Sequence, residues 1–178
     1  MPGSAEVNAE VPEVSPLLER VPAQGDPLSR PLSAVEREVW LGFLCTHVRL
    51  LRTLDKELLA AEGLATSSYE VLLAIAEAPE GRMRMKDIAA SLLISRSGLT
   101  RIVDDLEGQG HVERLKCPGD ARGLDAVLTP SGREAYLRAR TVHLASLRRQ
   151  FLGKLSEEQL RTLAEIWRAV DLSESADD

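Results

Sequence analysis

The sequence predicts a mainly α (α+β) fold, and three observations carry that reading. Apolar residues recur at helical spacing in long runs on both sides of the chain's middle. Three pairs, Ser33–Glu36, Ser67–Glu70 and Ser156–Gln159, have the spacing of a capping box, in which each side chain satisfies a free amide of a helix's first turn. Between the helical runs, Met85 to Thr129 reads as a short helix, a tight turn, a second helix and two strands joined by a charged, glycine-containing loop. That order is a winged helix-turn-helix with long flanking helices, which are expected to form a dimerisation domain.

Residues 1–32 hold six prolines and little periodicity, so they are expected to be a disordered extension. The first helix should start at Ser33 and end at Gly63, a natural residue just past a helix end. Its apolar stripe, Val39, Phe43, Leu50, Leu54 and Leu58, is widened by Trp40, Leu44 and Leu51 beyond what one neighbour covers. Ser67 should open the next helix, with Val71, Leu72 and Ile75 facing inward and Pro79 after its end. Residues 82–84 read as a short polar link. After the wing, Thr129-Pro130 is a helix start, because proline at the first position gives up no needed hydrogen bond. That helix should run to about Leu155. The last begins at Ser156, and its Leu160, Leu163, Trp167 and Val170 follow the rhythm of a helix–helix seam. The reader thus spans about 66–128, the flanking helices about 33–62 and 129–172, and an acidic tail 173–178.

Within the reader, Leu99, Ile102, Val103 and Leu106 share one helical face and should anchor it. The other face presents Ser97, Thr100 and Arg101, with Ser95 placed as N-cap. Free amides at such an end suit a phosphate. Arginine reads guanine bidentately, and hydroxyls reach bases or phosphates, so Arg101 leads the candidates for base readout. Asp104, three residues on, either aims Arg101 or is an ordinary solvated carboxylate. In the loop over 118–123, Arg122 suits a narrow minor groove, with Asp120 placed to direct it; the alternative is a surface hairpin with an incidental ion pair.

The 178 residues carry a net charge of −6, which by itself argues against nucleic acid. The distribution answers this: from Arg82 to Arg122 there are eight basic and six acidic residues. A mildly basic reader on an acidic molecule should bind DNA modestly and with strong salt sensitivity. No apolar run approaches the roughly 20 residues of a membrane span, and the N-terminus lacks a secretory pattern, so a cytoplasmic protein is expected. Cys45 and Cys117 have no metal-type spacing, the three histidines are scattered, and no catalytic set or phosphate loop appears. Neither an enzyme nor a cofactor is expected. A lone thiol on a helix, such as Cys45, is usually buried and structural.

The run MKDIAASLLISRSGLTRIVDDLEGQGHVERLKCPGDARGLDAVLTPSG resembles the multiple antibiotic resistance regulator (MarR) family of winged-helix transcription factors. SRSGLTRIVDDLE, the GHVER that follows, and the D-x-R of Asp120 and Arg122 leading into LTPSG carry the likeness together. The resemblance implies that residues 33–172 form one MarR-type domain. It implies a homodimer through the first helix and the last two, binding a palindromic double-stranded operator. Repression relieved by a small aromatic or phenolic ligand in the crevice between dimer helices and reader is also implied. By the same analogy Ser97, Thr100 and Arg101 face the major groove and Arg122 the minor groove, while Lys86, Arg96 and Lys116 touch phosphates. Many members carry a second basic residue where this chain has Ala121. That departure and the acidic balance keep a second reading open, a protein-interaction module without DNA binding; a Cys45-based redox sensor is a further alternative.

Overall fold

The computed structural model describes residues 30–117 and 120–170, with the side chains of residues 120–122 outside that description. The extension expected over 1–32 lies outside the described residues up to residue 29, as does the tail over 173–178. The chain divides into two compact units, residues 1–45 and 46–178, and helix α1 (Ala34–Glu62) runs from the first into the second.

In the first unit, α1 opens on the expected capping box. The Ser33 amide donates to Glu36 Oε2 at 2.7 Å, and the Glu36 amide donates to Ser33 Oγ at 3.3 Å. Arg30 pairs with the same carboxylate, and with Ser33 it holds the Glu36 carboxyl down at about 2. Trp40 and Phe43 stack with centroids 6.1 Å apart, and both are exposed along with Val35 and Val39.

In the second unit, α1 buries Leu54 and Leu58 and ends at Gly63, whose φ of +68° needs a residue without a Cβ. Helix α2 (Thr66–Glu77) follows, but not on the expected capping box. Ala65 is its N-cap and supplies no side-chain bond; instead Asp55, on α1, accepts the Thr66 amide at 2.8 Å. A carboxylate already in place across the turn satisfies the free amide, and Ser67 is left exposed.

A further correction concerns residues 82–84. They form a strand, β1 (Arg82–Arg84), where a polar link was expected. Helix α3 (Met85–Ser91), helix α4 (Arg96–Gly108), and strands β2 (Val112–Cys117) and β3 (Asp120–Leu128) follow. The sheet is antiparallel in the order β1-β3-β2, with Arg82 opposite Val127 and Val112 opposite Leu128. Met83 packs on the core between two arginines, the alternation of a half-buried strand. The return strand β3 begins at Asp120, inside the stretch 118–123 that was expected as a loop.

Helix α5 (Pro130–Gln150) starts on Thr129, whose hydroxyl oxygen accepts the Gly132 amide at 2.9 Å. It stops at Gln150, short of Leu155: Phe151 leaves the helical region (φ −135°) and a 3₁₀ turn occupies Leu152–Lys154. Helix α6 (Glu157–Ala169) opens on the Ser156–Gln159 capping box and buries no residue; Ile166, Trp167 and Val170 are about half exposed.

The core of this unit lies around α2, which packs on α3, α4, β1, β3 and α5. Val71, Leu72, Ile75, Ile88, Leu99, Val103, Leu106 and Val112 are all fully buried or nearly so. Removing each from water contributes about 1.5–3 kcal/mol. Tyr69 stacks on Tyr136 at 6.2 Å and on His143 at 4.6 Å, joining α2 to α5. Among the described residues, no single helix is long and apolar enough to cross a membrane.

Candidate nucleic-acid interface

The site is built on α4. Leu99, Val103 and Leu106 are buried and Ile102 is half-buried, so one face of the helix is fixed and the other is left to solvent. Ser95 caps the helix as expected, accepting the Gly98 amide at 3.1 Å, and its hydroxyl lies 3.2 Å from that of Ser97. Ser97, Thr100 and Arg101 are all exposed, as a reading face requires. The Thr100 hydroxyl donates to the Arg96 carbonyl at 2.9 Å, which sets its rotamer.

Cations gather beside this face. Arg84, Lys86, Arg96 and Arg114 line a cleft of about 550 Å³ between α3, α4 and the sheet, with Thr100 and Leu124 also in its wall. Lys86, Arg96 and Lys116, expected at phosphates, are exposed. Arg84 and Arg114 were not among the expected site residues. For Arg84, the Arg-Met-Arg alternation was the available signal. For Arg114 no local signal exists, because its partners are on another element. The side chains of Asp120 and Arg122 lie outside the described residues, although their backbone belongs to β3.

Asp104 does not aim Arg101. It pairs with Arg114 at 2.7 Å, and the same guanidinium nitrogen lies 2.6 Å from Glu107 Oε2. At the base of the wing, the buried Asp125 carboxylate accepts the Cys117 thiol at 2.6 Å and pairs with Arg82. The thiol bond and the guanidinium both hold Asp125 below the usual carboxylate range. Cys117 is therefore buried, whereas Cys45 is exposed, contrary to the expectation of a buried structural thiol. Among the described residues, no group of three or more His, Cys, Asp or Glu side chains is placed to hold a metal ion.

A second cleft, of about 910 Å³, lies between α2, β1 and α3, walled by Leu73, Met83 and Leu92 with Glu70 and Glu77 on α2. Burial raises the Glu70 carboxyl. At the α2–α5 seam, the buried His143 Nδ1 has no hydrogen-bond partner, and burial holds that imidazole below its usual range.

Comparison with known proteins agrees with this geometry. A MarR family model matches residues 62–123. The structure is similar to AbsC, a MarR family transcriptional regulator from Streptomyces coelicolor, at 34% identity and a TM-score of 0.75, over 79% of this chain and 95% of that one. A second MarR family regulator from the same organism, crystallised in complex with DNA, is 36% identical with a TM-score of 0.75, over 78% of this chain and 90% of that one. The homoprotocatechuate degradative operon repressor of Escherichia coli is 31% identical over 103 residues, covering 58% of this chain and 68% of the repressor. The winged helix-turn-helix and these likenesses agree: the chain belongs to the MarR family of transcriptional regulators, and is not an enzyme.

Proposed function

We propose that this regulator is a homodimeric repressor that binds a palindromic double-stranded operator through α4 and the wing. The observation that carries the reading is the exposed face of Ser97, Thr100 and Arg101, held rigid over the buried Leu99, Val103 and Leu106. In this reading Arg101 reads bases with Ser97 and Thr100 beside it. Ser95 and Arg96 at the helix start, with Lys86 and Lys116, hold phosphates, and Asp120 and Arg122 anchor the wing. Arg84, in the same cleft as Lys86 and Arg96, joins the phosphate contacts. The DNA-bound Streptomyces relative and the Escherichia coli repressor support both the partner and the sign of regulation.

The dimer rests on apolar faces that a single chain leaves open. Val35, Val39 and Trp40 on α1, Ile166 on α6 and Val170 just past its end are exposed apolar residues of the kind a second copy covers. Helices α1, α5 and α6 are accordingly the dimerisation elements. A twofold dimer sets two recognition helices about 10 bp apart, on successive major grooves. Release by a small aromatic ligand completes the reading.

The test is selection of bound duplexes from a random pool, followed by affinity measurements on the recovered sequence. Palindromic half-sites one helical turn apart are expected, with log K falling steeply as log salt rises. Arg101→Ala should cost roughly tenfold in discrimination against random DNA. An unchanged specificity ratio in that variant would remove Arg101 from base readout. No binding even at low salt would leave a protein-interaction module as the function.

A further inference from the structure

Recognition helix α4 carries two carboxylates, Asp104 and Glu107, and one residue of β2 engages both. Arg114, on β2, has a side chain only 18% exposed. Its Nη1 lies 2.7 Å from Asp104 Oδ1 and 2.6 Å from Glu107 Oε2, and its Nη2 donates to the Thr100 carbonyl at 3.0 Å. The Arg114 main-chain amide donates to Glu107 Oε1 at 2.9 Å, so side chain and backbone hold the same helix. Thr100, Asp104 and Glu107 are spaced at i, i+4 and i+7, one stripe along α4. That stripe borders Arg101, and its first member belongs to the reading face.

We propose that Arg114 is a positioning residue for sequence readout. It sets the angle and register of α4 against the wing, and it acts through Thr100, Asp104 and Glu107 instead of through contact with DNA. The inference rests on the DNA-binding reading above. A guanidinium is a planar fork with five donors, and here it reaches three acceptors spread over two helical turns. A lysine ammonium keeps the charge but spreads its donors from one point, so it cannot hold all three in place. Charge neutralisation and positioning are therefore separable by substitution.

Two variants separate them, measured on the duplex that the wild type recovers from a random pool and on a scrambled duplex of the same composition. Arg114→Lys should keep its affinity for scrambled DNA and its salt slope, while the preference for the recovered duplex falls roughly tenfold. The double variant Asp104→Asn with Glu107→Gln leaves Arg114 intact and changes almost no volume. It loosens the grip from the helix side and should also lose roughly tenfold in preference, although its affinity for scrambled DNA rises as two negative charges go. Melting curves and circular dichroism establish that the helix is formed in each variant. If Arg114→Lys melts early, the near-isosteric double variant still decides the question. Wild-type preference in both variants overturns the proposal. Lost preference in Arg114→Lys but not in the double variant also overturns it, because Arg114 would then touch DNA directly. A wild type that binds DNA without sequence preference overturns the operator-reading function itself, and the proposal with it.

Discussion

Replacing Gly132 by alanine tests how the reader is joined to the helix that follows it. Gly132 lies in the first turn of α5, and a Cβ built there would sit 1.9 Å from the His111 carbonyl oxygen and 2.7 Å from its carbon. That is about 1.5 Å short of ordinary contact. The strand side cannot retreat freely. His111 O accepts the Thr129 amide at 3.1 Å, and the Thr129 hydroxyl donates to the Gly110 carbonyl at 2.7 Å. Relief must displace α5 and stretch at least one of these bonds. Overpacking costs about 1–3 kcal/mol, and a weakened bond about 1 kcal/mol more. Alanine in a helix returns about 0.5–1 kcal/mol over glycine. The net loss should be about 2–3 kcal/mol, which lowers the melting temperature by roughly 5–10 °C in a chain of this length. Thermal unfolding at fixed protein concentration measures it, since assembly makes the midpoint concentration-dependent. Gly42→Ala is the control: it is also helical, nothing lies within 4 Å of its Cβ, and it should be neutral or gain up to about 1 kcal/mol. If Gly132→Ala melts with or above the wild type, the close approach is not a constraint and the reasoning fails.

Leu93, in the turn between α3 and α4, has a φ of +53° and is 93% exposed, so it bears backbone strain while burying almost nothing. Leu93→Asn should raise stability by up to about 1 kcal/mol, read as a higher urea midpoint with an unchanged slope; a lower midpoint would contradict the strain. Asp55→Ala removes the bond to the Thr66 amide and should cost about 1 kcal/mol, whereas Ser67→Ala should cost little; the reverse order would restore the local capping box. Burial holds His143 below its ordinary range, and burial with Arg138 does the same to His111. Between the unfolded value near 6.5 and the lower folded one, the unfolded chain binds more protons. Stability present above about pH 6.5 is therefore lost as pH falls, and His143→Phe, which keeps a ring against Tyr69, should flatten the decline between pH 7.5 and 5.5. Identical profiles for the two proteins would assign the decline to other groups.

What was legible in the sequence was local. The Ser33 and Ser156 capping boxes formed because both partners sit within one turn of the same helix. The 3.6-residue spacing of Leu99, Val103 and Leu106 identified the buried face of α4 and left Ser97, Thr100 and Arg101 outside, where the structure has them. The failures have a common cause in partners distant along the chain. Ser67–Glu70 matched the capping pattern, but Asp55 reaches the amide first. Three residues were too few to announce β1, whose pairing is with residues some 40 positions later. For Asp104 the sequence left open whether it aims Arg101 or is merely solvated, and the fold brings it Arg114 instead.

The register of β3 has a consequence for how the wing loosens. Asp125, Ala126 and Val127 are flanked by β1 on one side and β2 on the other, whereas Asp120 and Leu124 are matched with β2 alone. One strand is thus sheet at its end and ribbon at its beginning, with a register shift between Lys116 and Cys117 in its partner. A two-stranded ribbon is marginal by itself, while a strand with two neighbours opens only with the core. In hydrogen exchange, β3 should therefore unzip from Asp120 toward Asp125 and stop there. The Arg82–Asp125–Cys117 contacts mark the boundary between a wing that breathes and a base that does not.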